Sequence, residues 1–91
     1  MDSTKDIIYN LICSGKNDEA FAFLNTQIKN DPNNDELYYL RGNLFQKVQN
    51  WKFAIENYQQ AIHLNAFSPA HEMMIYINDI LSFYNKDIYN Q

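Results

Sequence analysis

Cysteine, histidine and paired carboxylates are the side chains in this sequence whose chemistry would show first. Cys13 is the lone thiol. A thiolate nucleophile needs a base or a cation beside it, and Cys13 has no evident activating neighbour, so it reads as a packed or partly exposed thiol. His63 and His71 are the two histidines, and neither has a cysteine or a second histidine at metal-ligand spacing, so both read as surface residues. The acid pairs Asp18-Glu19 and Asp35-Glu36 fall where helices are expected to begin, and the positive end of the helix dipole accounts for them. No glycine-rich phosphate loop, Gly-x-Ser-x-Gly turn or His-Glu-x-x-His helix occurs. The residues point away from an enzyme, and they predict no catalytic centre, metal site or cofactor.

What must position these side chains is a short chain of 91 residues, 46% hydrophobic, with seven Tyr, six Phe and one Trp. That apolar content supports a packed core and argues against disorder. Two Gly and two Pro are too few for a sandwich or barrel of many short strands, which needs turn signals every ~8–12 residues. Long helices fit better. Seven basic and eleven acidic residues give a net charge of −4 with no basic run, so the electrostatic footprint of a nucleic-acid or anionic-membrane binder is missing. No stretch approaches the ~20 apolar residues of a membrane span. Acids at Asp2 and Asp6 and the polar Asn10 do not read as a secretory signal, and bulky Ile12 disfavours lipid processing at Cys13. A cytoplasmic setting is expected.

The sequence repeats itself at a shift of 34 residues. Leu11 falls on Phe45, Ala20 on Ala54, Phe21 on Ile55, Leu24 on Tyr58 and Ile28 on Ile62, so large and small apolar residues recur at matched places. Each unit reads as two antiparallel helices. Ser3, with Asp6 three residues on, is placed to cap a first helix that runs to about Ser14, where Gly15 turns the chain. Asn17 is expected to open the second helix, and Asp31-Pro32-Asn33-Asn34 stops it. A third helix over residues 35–48 and a fourth over 51–64 follow, the latter with Ile55, Tyr58 and Ile62 at helical spacing. Ser68-Pro69 then starts a fifth helix, to about residue 85.

Residues 35–68 resemble the tetratricopeptide repeat family, with Tyr38, Gly42, Phe45, Trp51, Ala54, Tyr58 and Ala61 at its small and aromatic positions. Residues 1–34 keep Leu11, Gly15, Ala20, Leu24, Ile28 and Pro32, but carry Ile8 where a small residue is usual and Asn17 where an aromatic is usual. The layout looks like small stand-alone bacterial proteins of two repeats, here 1–34 and 35–68, closed by a capping helix and tail over 69–91. The resemblance implies an all-α superhelix of antiparallel helix pairs, with Gly42 and Ala54 at a close helix approach that Phe45, Trp51 and Tyr58 surround.

In that family the first helix of each unit lines a concave groove. The matching positions here include Asp2, Lys5, Tyr9, Ile12 and Cys13, then Glu36, Tyr39, Leu40, Asn43, Gln46 and Lys47. Tyr39 would offer apolar area with a hydroxyl, Asn43 and Gln46 amides, and Lys5 or Lys47 a cation for a carboxylate. Of the clamp by which some members grip an acidic tail, only Lys5 agrees. Tyr9, Leu40, Ala70 and Met74 replace the other residues, so that mode of binding is not expected. The fifth helix carries a surplus of apolar residues: Met73, Ile77, Ile80, Leu81, Tyr84 and Ile88 on one stripe, with Met74, Ile75, Tyr76 and Phe83 beside it. Either the stripe is core, or, if this helix keeps the repeat register, Met73, Ile77 and Ile80 line the concave side. The expected function is binding of a partner's peptide or helix. The alternative is a homodimer through the fifth helix.

Overall fold

The computed structural model describes the backbone of residues 3–89 and the surroundings of side chains through Phe83. Groove position Asp2 and the stripe side chains Tyr84 and Ile88 lie outside the described residues. Five helices follow one another: α1 (Thr4–Cys13), α2 (Asn17–Asn30), α3 (Asp35–Lys47), α4 (Trp51–Leu64) and α5 (Ala70–Tyr89). The fold is all-α. Each helix packs on the next, with α3 and α4 the most extensively joined pair, and the whole measures 50 × 30 × 19 Å.

Local chemistry sets the helix ends. Asn34 accepts from the Glu36 amide at 3.1 Å, Asn50 from the Phe53 amide at 3.3 Å, and Ser68 Oγ from the Ala70 amide at 3.1 Å. Each satisfies an amide that the first turn leaves unpaired. Two expected caps differ. Ser3 holds the cap position of α1 but makes no side-chain bond there. Asn17 does not cap α2 either: Lys16 holds that place, Asn17 is the first helical residue, and its Oδ1 is buried without a partner. At the first helical position Asn17 is past the N-cap place from which a side-chain oxygen meets the free amides of N2 and N3.

The helix-to-helix turns inside the two pairs are built alike. After α1, the Gly15 amide donates to Ile12 O at 3.0 Å and the Lys16 amide to Leu11 O at 2.8 Å, with Gly15 at φ 75°. After α3, the Gln49 amide donates to Gln46 O at 2.9 Å and the Asn50 amide to Phe45 O at 2.9 Å, with Gln49 at φ 63°. This bonding ends a helix with a left-handed residue, which glycine takes without steric cost and glutamine does not.

The core has two parts. Ile8, Ala20, Leu24, Leu37, Leu40 and Leu44 join α1, α2 and α3, while Ala54, Tyr58, Ala61, Ala70 and Ile77 join α4 and α5. Tyr39 packs against both. At ~1.5–3 kcal/mol for each large apolar side chain removed from water, these clusters supply the main force for folding.

Helix α5 departs from the repeat register. The buried positions Leu37, Leu40 and Leu44 of α3 correspond at a shift of 34 to His71, Met74 and Asn78, of which His71 and Asn78 are exposed. Buried instead are Ala70 and Ile77, with Met73, Met74 and Leu81 packed around them. The fully buried face of α5 is thus displaced by one residue, roughly 100° around the helix, from that of α3. The cause lies in the sequence, since the face carrying His71 and Asn78 is too polar to bury while Ala70 and Ile77 fit against Ala54 and Ala61. On this stripe Ile77 is core, with Met73 and Leu81 packed beside it, and the expectation that Ile77 lines a binding surface is overturned: its exposure is 0%.

A groove between α3 and α5

A groove runs between α3 and α5. On α3, Tyr39, Asn43 and Gln46 project at i, i+4 and i+7, one helical face. The turn after α3 brings Gln49 and Trp51 across, and α5 supplies Met73, Tyr76, Ile80 and Phe83. Two adjoining hollows of about 650 Å³ and 430 Å³ share Gln49, Trp51 and Tyr76 as a common wall. Tyr76 is 52% exposed and Phe83 75% exposed. Asp79 lies on the wall of the larger hollow.

The polar floor is organised by Tyr58. Its hydroxyl stands 2.5 Å from Asn43 Oδ1 and 2.8 Å from Gln46 Oε1. The hydroxyl's single proton faces both amide oxygens, so Tyr58 ties the two side chains of α3 together from α4. Burial pushes the Tyr58 phenol up, and nearby Tyr39, at a ring distance of 6.1 Å, adds to the shift.

Of the side chains expected to bind, Tyr39, Asn43, Gln46, Lys47, Met73 and Ile80 converge on these hollows. Lys47 does so with its charge engaged: Nζ donates to Ile12 O at 3.1 Å, placing a cation on the carbonyl end of α1. Lys5 lies in a separate, smaller hollow of about 140 Å³ with Asp35, Glu36, Tyr39 and Pro69. Tyr9 is 45% exposed and lines none of these hollows. Sequence reasoning did not assign Gln49, Trp51, Tyr76, Asp79 or Phe83 to the groove. Its nearest signal was the excess of apolar residues on the fifth helix, which includes Tyr76 and Phe83.

Cys13, His63 and His71 are exposed, and among the described residues no group of three or more His, Cys, Asp and Glu could hold a metal ion. No described helix is long and apolar enough to cross a membrane.

No protein-family model matches the chain, and no curated protein matches it. Among solved structures, the solution NMR structure of Bacteroides fragilis protein BF1650 is similar over 100% of this chain and 92% of its own, with 44% sequence identity and a TM-score of 0.85. At that identity over the full length, the chain belongs to the same family as the Bacteroides fragilis protein BF1650.

Proposed function

We propose that this protein is an interaction module of the tetratricopeptide type, which seats an apolar-faced helix or peptide of a partner protein between α3 and α5 in the cytoplasm. The observation that carries this reading is the exposure of Tyr76 and Phe83 beside Trp51 on one continuous groove. Aromatic side chains held open to water on packed helices lose little entropy on binding and gain much from burial. The amides of Asn43 and Gln46 on the groove wall add polar groups that can pair with a peptide backbone. A photo-cross-linking residue at Phe83 tests the reading in cells of the native host. A discrete protein adduct is expected, and Tyr76→Glu should abolish it. Persistence of the same adduct in the folded Tyr76→Glu variant would sink the proposal.

The exposed Ile75, Tyr76 and Phe83 of α5 favour one further reading, self-association through this helix. Light scattering after size exclusion separates the two. A mass fixed at 10.8 kDa at all loading concentrations leaves the groove for another protein, and a mass rising toward twice that value with concentration makes a second copy its occupant.

A further inference from the structure

Arg41 leaves α3 toward α2 and α4, and two neutral amides hold its guanidinium. Nε donates to Asn57 Oδ1 at 2.7 Å and Nη1 to Asn25 Oδ1 at 3.0 Å. Asn57 is itself buried and fixed, its Nδ2 donating to Phe53 O at 2.8 Å. The guanidinium carbon stands 5.5 Å from the centre of the Tyr38 ring. No carboxylate of a described residue pairs with this cation. Burial pushes its pKa down, with the Tyr38 phenol acting against that, and an arginine stays charged under such a shift. The amide oxygens therefore orient the positive charge without neutralising it, and they use only part of a fork of five N–H donors.

Beside the guanidinium runs a row of three rings. Phe21 and Phe45 stand 4.6 Å apart and Phe45 and Phe53 5.4 Å apart, all tilted. Rings and guanidinium line an open pocket of about 370 Å³ that shares no residue with the groove between α3 and α5. Glu56, exposed, is the one carboxylate on its wall.

We propose that this pocket is a second peptide site, which takes an acidic residue adjacent to an aromatic or large apolar one, Arg41 receiving the carboxylate and the phenylalanine row the apolar side chain. Charge complementarity selects this occupant. A partly desolvated guanidinium without a counter-charge gains more from a carboxylate than from any neutral group, and its planar fork matches the two oxygens. Asn25 and Asn57 have already fixed its orientation, so little side-chain entropy is lost on binding. Glu56 repels the incoming carboxylate and limits affinity. The site stands independently of the function proposed for the groove.

Titration of the 15N-labelled protein with acetyl-Asp-Phe-amide, acetyl-Asn-Phe-amide and 3-phenylpropionate tests this assignment. The Asp peptide should shift the Arg41 Nε–H and the side-chain amides of Asn25 and Asn57, and bind about tenfold or more tightly than the Asn peptide. Arg41→Gln should remove that preference. Should Arg41→Gln fail to fold, Glu56→Gln decides, since it lies on the exposed rim. Severalfold tighter binding of the Asp peptide to that variant supports the site, and no change overturns it. Equal affinity of the Asp and Asn peptides overturns it too, as would tighter binding of 3-phenylpropionate than of the Asp peptide, which would make the occupant a small carboxylate.

Discussion

A Cβ built on Gly42 would stand 2.6 Å from Cε1 of Tyr58 and 2.7 Å from Cδ1, so the backbone of α3 lies directly against the ring of α4. A shift of 34 residues maps this pair onto Ile8 and Leu24, both buried at 0% exposure in the other core cluster. The two halves fill the same place in different ways, one with two branched aliphatic side chains and one with a large ring over no side chain at all. Close packing requires only that the combined volume be kept.

Gly42→Ala should therefore destabilise the protein. Overpacking costs about 1–3 kcal/mol and the better helix propensity of alanine returns about 1, so a net loss of up to about 2 kcal/mol is expected in urea unfolding. The loss should shrink when Tyr58→Leu is present, because the ring that the new methyl meets is gone. A double-mutant cycle reads this directly, and strict additivity would show that the contact is not the cause.

Gln49 at φ 63° occupies the place that Gly15 takes at the end of α1. A left-handed residue with a Cβ costs about 1–2 kcal/mol, and glycine gives back about 0.5–1 in unfolded-chain entropy. Gln49→Gly should raise stability by about 0.5–1 kcal/mol, seen as a higher urea midpoint at unchanged slope. An unchanged or lower midpoint would mean that the glutamine side chain makes a compensating contact.

The number and order of helices were legible because their signals are local. Pro32, Gly15 and the cap Ser68 act within a few residues of themselves, and the ends of α4 fall where the sequence places them, while the caps Asn34 and Asn50 emerge only in the structure. Side-chain direction on α5 was not legible in the same way. The repeat shift matched Ile77 to Asn43, on the groove, while the apolar stripe itself fitted a helix turned onto the core, and only packing against Ala54 and Ala61 decides between the two. For the same reason Asn43 and Gln46 were recognisable as groove residues, but their attachment to the Tyr58 hydroxyl was not, since that contact crosses from α3 to α4.

Two neighbours on α5 separate these faces experimentally. Ile77→Glu puts a carboxylate into a fully buried position between α4 and α5, and should cost about 4 kcal/mol or more, enough to unfold a chain this small under mild conditions. Tyr76→Glu, at a half-exposed position one residue away, should shift stability by no more than about 1 kcal/mol. Circular dichroism melts of both variants check this. Equal tolerance of the two substitutions would contradict the burial of Ile77 against α4.

Tyr58 should also make stability fall at high pH. Its folded pKa lies above the unfolded value of 10.0 because burial disfavours the phenolate, so the folded state keeps its proton where the unfolded state has released it. The contribution is fully present below pH 10, and is lost as pH rises above it, with a slope of at most about 1.4 kcal/mol per pH unit from this one group. Tyr58→Phe removes the slope, and the difference between the two proteins isolates Tyr58 from the six other tyrosines. The same variant should cost about 1 kcal/mol at neutral pH, at the lower end for a lost buried hydroxyl, because Asn43 and Gln46 can turn toward the groove and be hydrated. Urea unfolding of both proteins at pH 8, 10 and 11 measures both effects. Parallel stability curves would mean that the Tyr58 hydroxyl is not held away from water in the folded protein.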